Sequence, residues 1–159
     1  MNKLFIVEQI LAALSASLEM YTRSVREAHA GATDEQSKAE NKYDTRGLEA
    51  GYLARGQSHQ AAEVMQAMQR YETLSLREFA AQEPIDLCAV VELERQGERT
   101  VYFLGPLAGG IEVACEGLSV QVITPQSPMG QQLVGHRQGE RLKIQIGGTS
   151  ESYRIVAVV

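Results

Sequence analysis

The chain has 159 residues, is 44% hydrophobic and carries a net charge of −5 at pH 7. This length fits one ordinary domain or two small ones, and the apolar fraction excludes wholesale disorder. The acidic balance argues against a nucleic-acid coat protein or a direct reader of DNA sequence, either of which needs a basic surface to displace counterions.

The opening segment, Met1 to Val7, is interrupted at once by Glu8 and Gln9, too short an apolar core for a secretory signal, and no small-residue cleavage site comes after it. No apolar run reaches the roughly 18–20 residues of a membrane span. A cytoplasmic protein without membrane association is therefore expected. Leu4, Val7, Leu11, Leu14, Leu18, Tyr21, Val25 and Ala28 recur at alternating steps of three and four, which is the seam of a helix with one partner helix. At about 1.5 Å per residue, a helix over residues 4–28 would be about 37 Å long. Ala30-Gly31-Ala32-Thr33-Asp34 reads as a break, with Thr33 or Asp34 able to cap a new helix.

The partner helix is expected from about residue 38 to 79, where no proline occurs. Tyr43, Ala50, Leu53, Val64, Met68, Tyr71 and Leu74 keep a looser helical spacing. Gly47, Gly51 and Gly56 each disfavour a helix interior by about 1 kcal/mol relative to alanine, a cost that close approach of two helices could explain. The simplest arrangement is an antiparallel coiled-coil hairpin over residues 1–82, its tip at 31–44, burying Leu11, Leu14, Leu18 and Val64 between the helices.

After Glu83-Pro84 the pattern changes. Residues 86–94 and 99–104 are short apolar runs joined by Arg95-Gln96-Gly97-Glu98, a hairpin signal. Further strands are expected at 111–115, 118–122, 142–146 and 152–159, with a turn at Gly147-Gly148. Ser127 is placed to cap a short helix, with Pro128 at its first position and its end near Gly135. The fold class is thus α+β, a helical hairpin followed by a small β-rich domain over 83–159. Cys88 and Cys115 lie in apolar stretches and are expected as buried free thiols rather than a disulfide.

Chemistry concentrates at the hairpin tip, where Asp34, Glu35, Glu40 and Asp44 fall within eleven residues. Carboxylate oxygens are hard ligands suited to Mg²⁺. Glu40 and Asp44 share a helix face, and Asp34 joins Glu40 only if the segment between them bends. The plainer alternative is a solvated helix start, where acids favour the helix dipole. His29, His59 and His136 are far apart, with no ligand-spaced Cys or His beside them.

Gly31, Asp34, Glu40-Asn41 and Tyr43, together with Ser127-Pro128-Met129-Gly130-Gln131-Gln132-Leu133-Val134-Gly135-His136-Arg137-Gln138-Gly139-Glu140 and Tyr153-Arg154-Ile155-Val156, carry a resemblance to a known family. The chain resembles the Gre family of bacterial transcript cleavage and elongation factors. That family has a tip pattern of the type G-D-x-x-E-N-x-x-Y and a C-terminal stretch of the type S-P-[IL]-G-x-x-L-[IL]-G-x-x-x-G-[DE]. The resemblance implies a C-terminal domain folded like an FK506-binding protein that docks on the rim of the secondary channel of RNA polymerase. It also implies a hairpin that reaches inward, so that tip carboxylates share Mg²⁺ with the polymerase while backtracked RNA is cleaved near its 3′ end.

By this resemblance Asp34 and Glu40 are the catalytic and metal-holding candidates. Glu35, Asn41, Tyr43 and Asp44 support the tip, and Ser127, Pro128, Met129, Gly130 and Gly135 belong to the docking domain. Asp34 and Glu40 are six apart where the family's acids are three apart, and one residue rather than two separates Asn41 from Tyr43. Glu35 is placed to substitute for Asp34. The chain is expected to act through the polymerase rather than as an enzyme by itself, and as a monomer. The alternatives are a non-cleaving channel binder that inhibits or modulates, a prolyl isomerase, and a plain coiled-coil adaptor.

Overall fold

The computed structural model describes residues 1–33, 46–80 and 82–159. Two helices, α1 (Lys3–Thr33) and α2 (Arg46–Glu72), precede six strands: β1 (Val90–Arg95), β2 (Glu98–Leu104), β3 (Glu112–Cys115), β4 (Leu118–Ile123), β5 (Arg141–Ile146) and β6 (Thr149–Val158). A short helix, α3 (Pro128–Leu133), lies between β4 and β5. The predicted α+β class holds.

Several predicted bounds need correction. α1 runs through Ala30-Gly31-Ala32-Thr33 rather than breaking there, and α2 ends at Glu72, before the expected residue 79. Gly51 and Gly56 do not mark close helix contact, because a Cβ at either would meet nothing within 4 Å. No uninterrupted apolar run in α1 is long enough for a membrane span, although an 18-residue window within Lys3–Ala30 reaches a mean hydropathy of 1.4. The opening turns of α1 bury Ile6, Val7 and Ile10 inside the protein.

The chain divides into two units. The sheet unit comprises Met1–Ala12 and Gln69–Val159, and the helical unit comprises Ala13–Met68. In the sheet unit the strands run in the order β3-β4-β2-β1-β6-β5. All neighbours are antiparallel except β2 and β4. That parallel pair needs a crossover, and β3 lies within it.

Three two-residue turns set the register. Gln96-Gly97, Glu116-Gly117 and Gly147-Gly148 all have positive φ at both positions, which matches the right-handed twist of the flanking strands. Side-chain alternation along the strands then buries both faces. Ile85, Val91, Leu93, Leu104, Ile123, Leu133, Ile144 and Ile155 form one core. Val90, Phe103, Val120 and Val122 are buried from the other side.

Isoleucine positions rather than the predicted seam define the start of α1. Ile6 and Ile10 are fully buried while Leu4 is 60% exposed. A narrow seam suits a helix with one partner, whereas this turn of α1 belongs to the sheet unit and buries a wider face. Lys3 is buried beside it. Its ammonium donates to the Arg77 carbonyl and lies 4.8 Å from the centre of the Phe79 ring. Burial pulls its pKa below the ordinary lysine value, and Glu78 opposes that shift.

Tyr71, at the end of α2, is also inside the sheet unit, where its hydroxyl donates to the Leu107 carbonyl at 2.9 Å. In the helical unit Leu14, Ala28, Ala54 and Ala67 are buried. Leu18 and Val64, and Leu11 in the sheet unit, are only half-buried, less than the seam predicted. Cys88 and Cys115 are buried free thiols, as expected.

Candidate functional site

Asp34, Glu35, Glu40, Asn41, Tyr43 and Asp44, the tip candidates, lie outside the described residues. Among the described residues no group of three or more His, Cys, Asp or Glu side chains is arranged to hold a metal. The site that the structure describes is the motif from Ser127 to Glu140.

Ser127 caps α3. Its Oγ accepts from the Gly130 N–H at 3.1 Å and donates to the Thr124 carbonyl at 2.7 Å. Pro128 stands at the first helical position, where a missing N–H costs nothing. Gly130 allows no substitute, because a Cβ there would lie 1.9 Å from the Thr124 carbonyl oxygen. Met129, Gly130 and Leu133 face the interior, while Pro128, Gln131 and Val134 are exposed.

The segment after α3 is tied down residue by residue. Gly135 has φ +86° and donates to the Ile85 carbonyl, and the Ile85 N–H returns to the His136 carbonyl. Gly139 has φ +90° and donates to the Ile155 carbonyl. Glu140 reaches the His136 Nδ1 at 2.6 Å and accepts from the Arg137 N–H at 3.2 Å. The hydrogen bond to His136 holds the Glu140 carboxyl below the usual range. Arg137 Nε donates to the Gln82 carbonyl at 3.0 Å. Each fixed residue of the motif thus has a folding role: cap, close approach, left-handed turn or loop tie.

A groove of about 530 Å³ opens beside α3, lined by Tyr102, Gly109, Val122, Thr124, Pro128 and Met129 among others. Burial, reinforced by Tyr153, raises the Tyr102 phenol pKa. The groove's lining mixes apolar Val122, Ile123 and Met129 with polar Gln121 and Thr124, and its one aromatic residue is Tyr102. Sequence reasoning missed this groove because β2, β4 and α3 reach it from distant parts of the chain. It also missed the Tyr71–Leu107 tie, whose signal was Gly105: a Cβ there would lie 2.1 Å from the Tyr71 hydroxyl oxygen.

The family model "Transcription elongation factor, GreA/GreB, C-term" matches residues 81–159, which hold this motif. No curated protein matches the chain. Among solved structures the chain is similar to GreA factor homolog 1 of Thermus thermophilus, at 26% identity over 94% of each chain and a TM-score of 0.40. Gfh1 of Thermus aquaticus is 24% identical over 92% of each chain, with a TM-score of 0.39. GreA/GreB from Nitrosomonas europaea is 18% identical over 70% of this chain and 91% of that one, with a TM-score of 0.36. These superpositions are loose, and the assignment rests on the family model together with the motif that it spans. The chain belongs to the GreA/GreB family of transcription elongation factors.

Proposed function

We propose that this protein is an RNA polymerase-binding elongation regulator of the cytoplasm, acting as a monomer. The sheet unit docks and the helices reach toward the polymerase's active centre through its secondary channel. The observation that carries this reading is the family match over residues 81–159, which covers the whole Ser127–Glu140 motif. In this reading α1 and α2 form an antiparallel coiled-coil hairpin. Support comes from two long helices, 31 and 27 residues, that succeed one another in the chain. The sheet with α3 against it is in keeping with an FK506-binding-protein-like domain.

A partner at the α3 face would meet Pro128, Gln131 and Val134, because Met129 and Gly130 are turned inward. Asp34 and Glu40 are the residues that would help hold Mg²⁺, whose carboxylate donor chemistry they fit. When bound, that ion would stabilise charge in hydrolysis of the backtracked RNA at the polymerase's own site.

A non-cleaving channel binder is the second reading. It is favoured by one specific observation, the six-residue separation of Asp34 and Glu40. The prolyl isomerase alternative gains little from the groove, which offers Tyr102 as its single aromatic wall. The test is co-sedimentation of the full chain with core RNA polymerase, followed by transcript mapping on stalled, backtracked complexes. Binding with shortened transcripts supports the cleavage reading, and binding with slowed extension alone supports the second. Absence of binding contradicts both.

A further inference from the structure

β5 is an edge strand. The turn at Gly147-Gly148 sets Ile146 opposite Thr149, so alternate residues Arg141, Lys143 and Gln145 direct their backbone groups away from β6. Gln145 shows this directly. Its N–H donates to Gln132 Oε1 at 2.8 Å and its carbonyl accepts from Gln132 Nε2 at 3.1 Å. Among the described residues no side chain caps Lys143 in this way.

The β5–β6 pair carries an unusual charge arrangement for an acidic chain. Arg141, Lys143 and Arg154 are all exposed, and Arg141 stands directly opposite Arg154 in the β5–β6 register. Like charges placed so are destabilising. The acids nearest in register are engaged elsewhere. Glu94, opposite Arg154 on the β1 side, lies 3.7 Å from Arg99 Nε. Glu140 holds His136, and Glu151 pairs with Arg95. None of the three cations has an ion-pair partner among the described residues.

We propose that this edge is a docking surface for an acidic, extended segment of a partner protein. The segment adds to β5 as a further strand and sets carboxylates at alternate positions against Arg141 and Lys143, while Arg154, one strand farther in on β6, adds to the positive field. One face of a strand presents a side chain every second residue, which matches the Arg141–Lys143 spacing. A guanidinium receives a carboxylate bidentately, and the open edge at Lys143 supplies main-chain bonds. Single-stranded nucleic acid fits less well. Tyr153, the aromatic residue of β6, is in register with Leu142 and packs with it against the core, leaving no ring on the basic face for bases to stack on. The proposal stands independently of the polymerase reading.

The test uses the full chain and a fluorescein-labelled peptide of alternating Glu and Thr, monitored by anisotropy at low and physiological ionic strength. The peptide should bind, and the triple variant R141Q/K143Q/R154Q should weaken binding by about tenfold, the sum of a few exposed pairs. That variant should melt no lower than the wild type, because it loses a like-charge pair. If it fails to fold, Lys143→Gln alone carries the test, with a smaller loss expected. Equal binding by a peptide N-methylated at alternate backbone positions would overturn strand addition. Tighter binding of oligothymidylate, unchanged affinity in the variants, or no peptide binding at low salt would overturn the docking surface itself.

Discussion

The sheet unit and the helical unit spend their residues differently. In the sheet unit the glycines and polar residues of the Ser127–Glu140 motif each answer a backbone demand, from the Ser127 cap to the left-handed Gly139. In the helical unit Met20, Leu48, Tyr52, Leu53 and Met65 are more than half exposed, and Gly51 and Gly56 stand in open space. The residues that identify the family therefore report on folding. The exposed helical residues answer no such packing demand. Tolerance to substitution should separate the two units in the same way.

The largest effect is expected at Gly130. Gly130→Ala drives a methyl group into the Thr124 carbonyl and should destabilise the protein by about 3 kcal/mol or more, read as a lower urea midpoint. Next comes Gly105→Ala, which meets the hydroxyl of a tyrosine that is 2% exposed and cannot swing into solvent. A loss of about 2 kcal/mol is expected. It should shrink in a Tyr71→Phe background, because removing the hydroxyl relieves the nearest clash, and a double-mutant cycle in thermal denaturation reads the coupling. Equal losses in both backgrounds would break the proposed contact.

In the helical unit the sign reverses. Gly51→Ala and Gly56→Ala should each stabilise by up to about 1 kcal/mol, since alanine restricts the unfolded chain and meets no obstacle. A destabilised variant would show that these glycines serve packing after all.

The smallest effect concerns Glu140. Its folded pKa is depressed, chiefly by His136, so its contribution is present above the ordinary glutamate value of about 4.5 and is lost as pH falls through the folded value. Glu140→Gln should narrow the loss of thermal stability between neutral pH and pH values below that range. A wild-type slope retained in the variant would assign the acid sensitivity to other groups, with Glu83, held low by Arg77, the first to examine.

Much of the sheet unit was legible in the sequence because local rules dictate it. Gln96-Gly97 and Gly147-Gly148 declare tight turns, and Ser127-Pro128 declares a capped helix. What escaped was non-local. The parallel pairing of β2 with β4 joins strands separated by β3, and no local pattern encodes it. The heptad at Leu4, Leu11 and Leu18 concealed the face that α1 buries through Ile6 and Ile10, because both patterns share Val7 and Leu14. The helical spacing puts Tyr71 on the seam of a longer α2, whereas its hydroxyl's partner is a carbonyl 36 positions onward. The tip acids were visible as a charge pattern, but six-residue spacing alone fixes no geometry.

Action is assigned to that tip and docking to the sheet unit, and one measurement bears on both. Wild type and the double variant Asp34→Asn/Glu40→Gln are titrated against backtracked polymerase complexes, scoring affinity and transcript length together. The expected result is affinity equal to within about twofold, with cleavage slowed by about a hundredfold or more, close to 3 kcal/mol of transition-state stabilisation. A double variant that binds equally and cleaves at the wild-type rate would contradict the assignment of the tip. A wild type that does not bind would contradict both assignments.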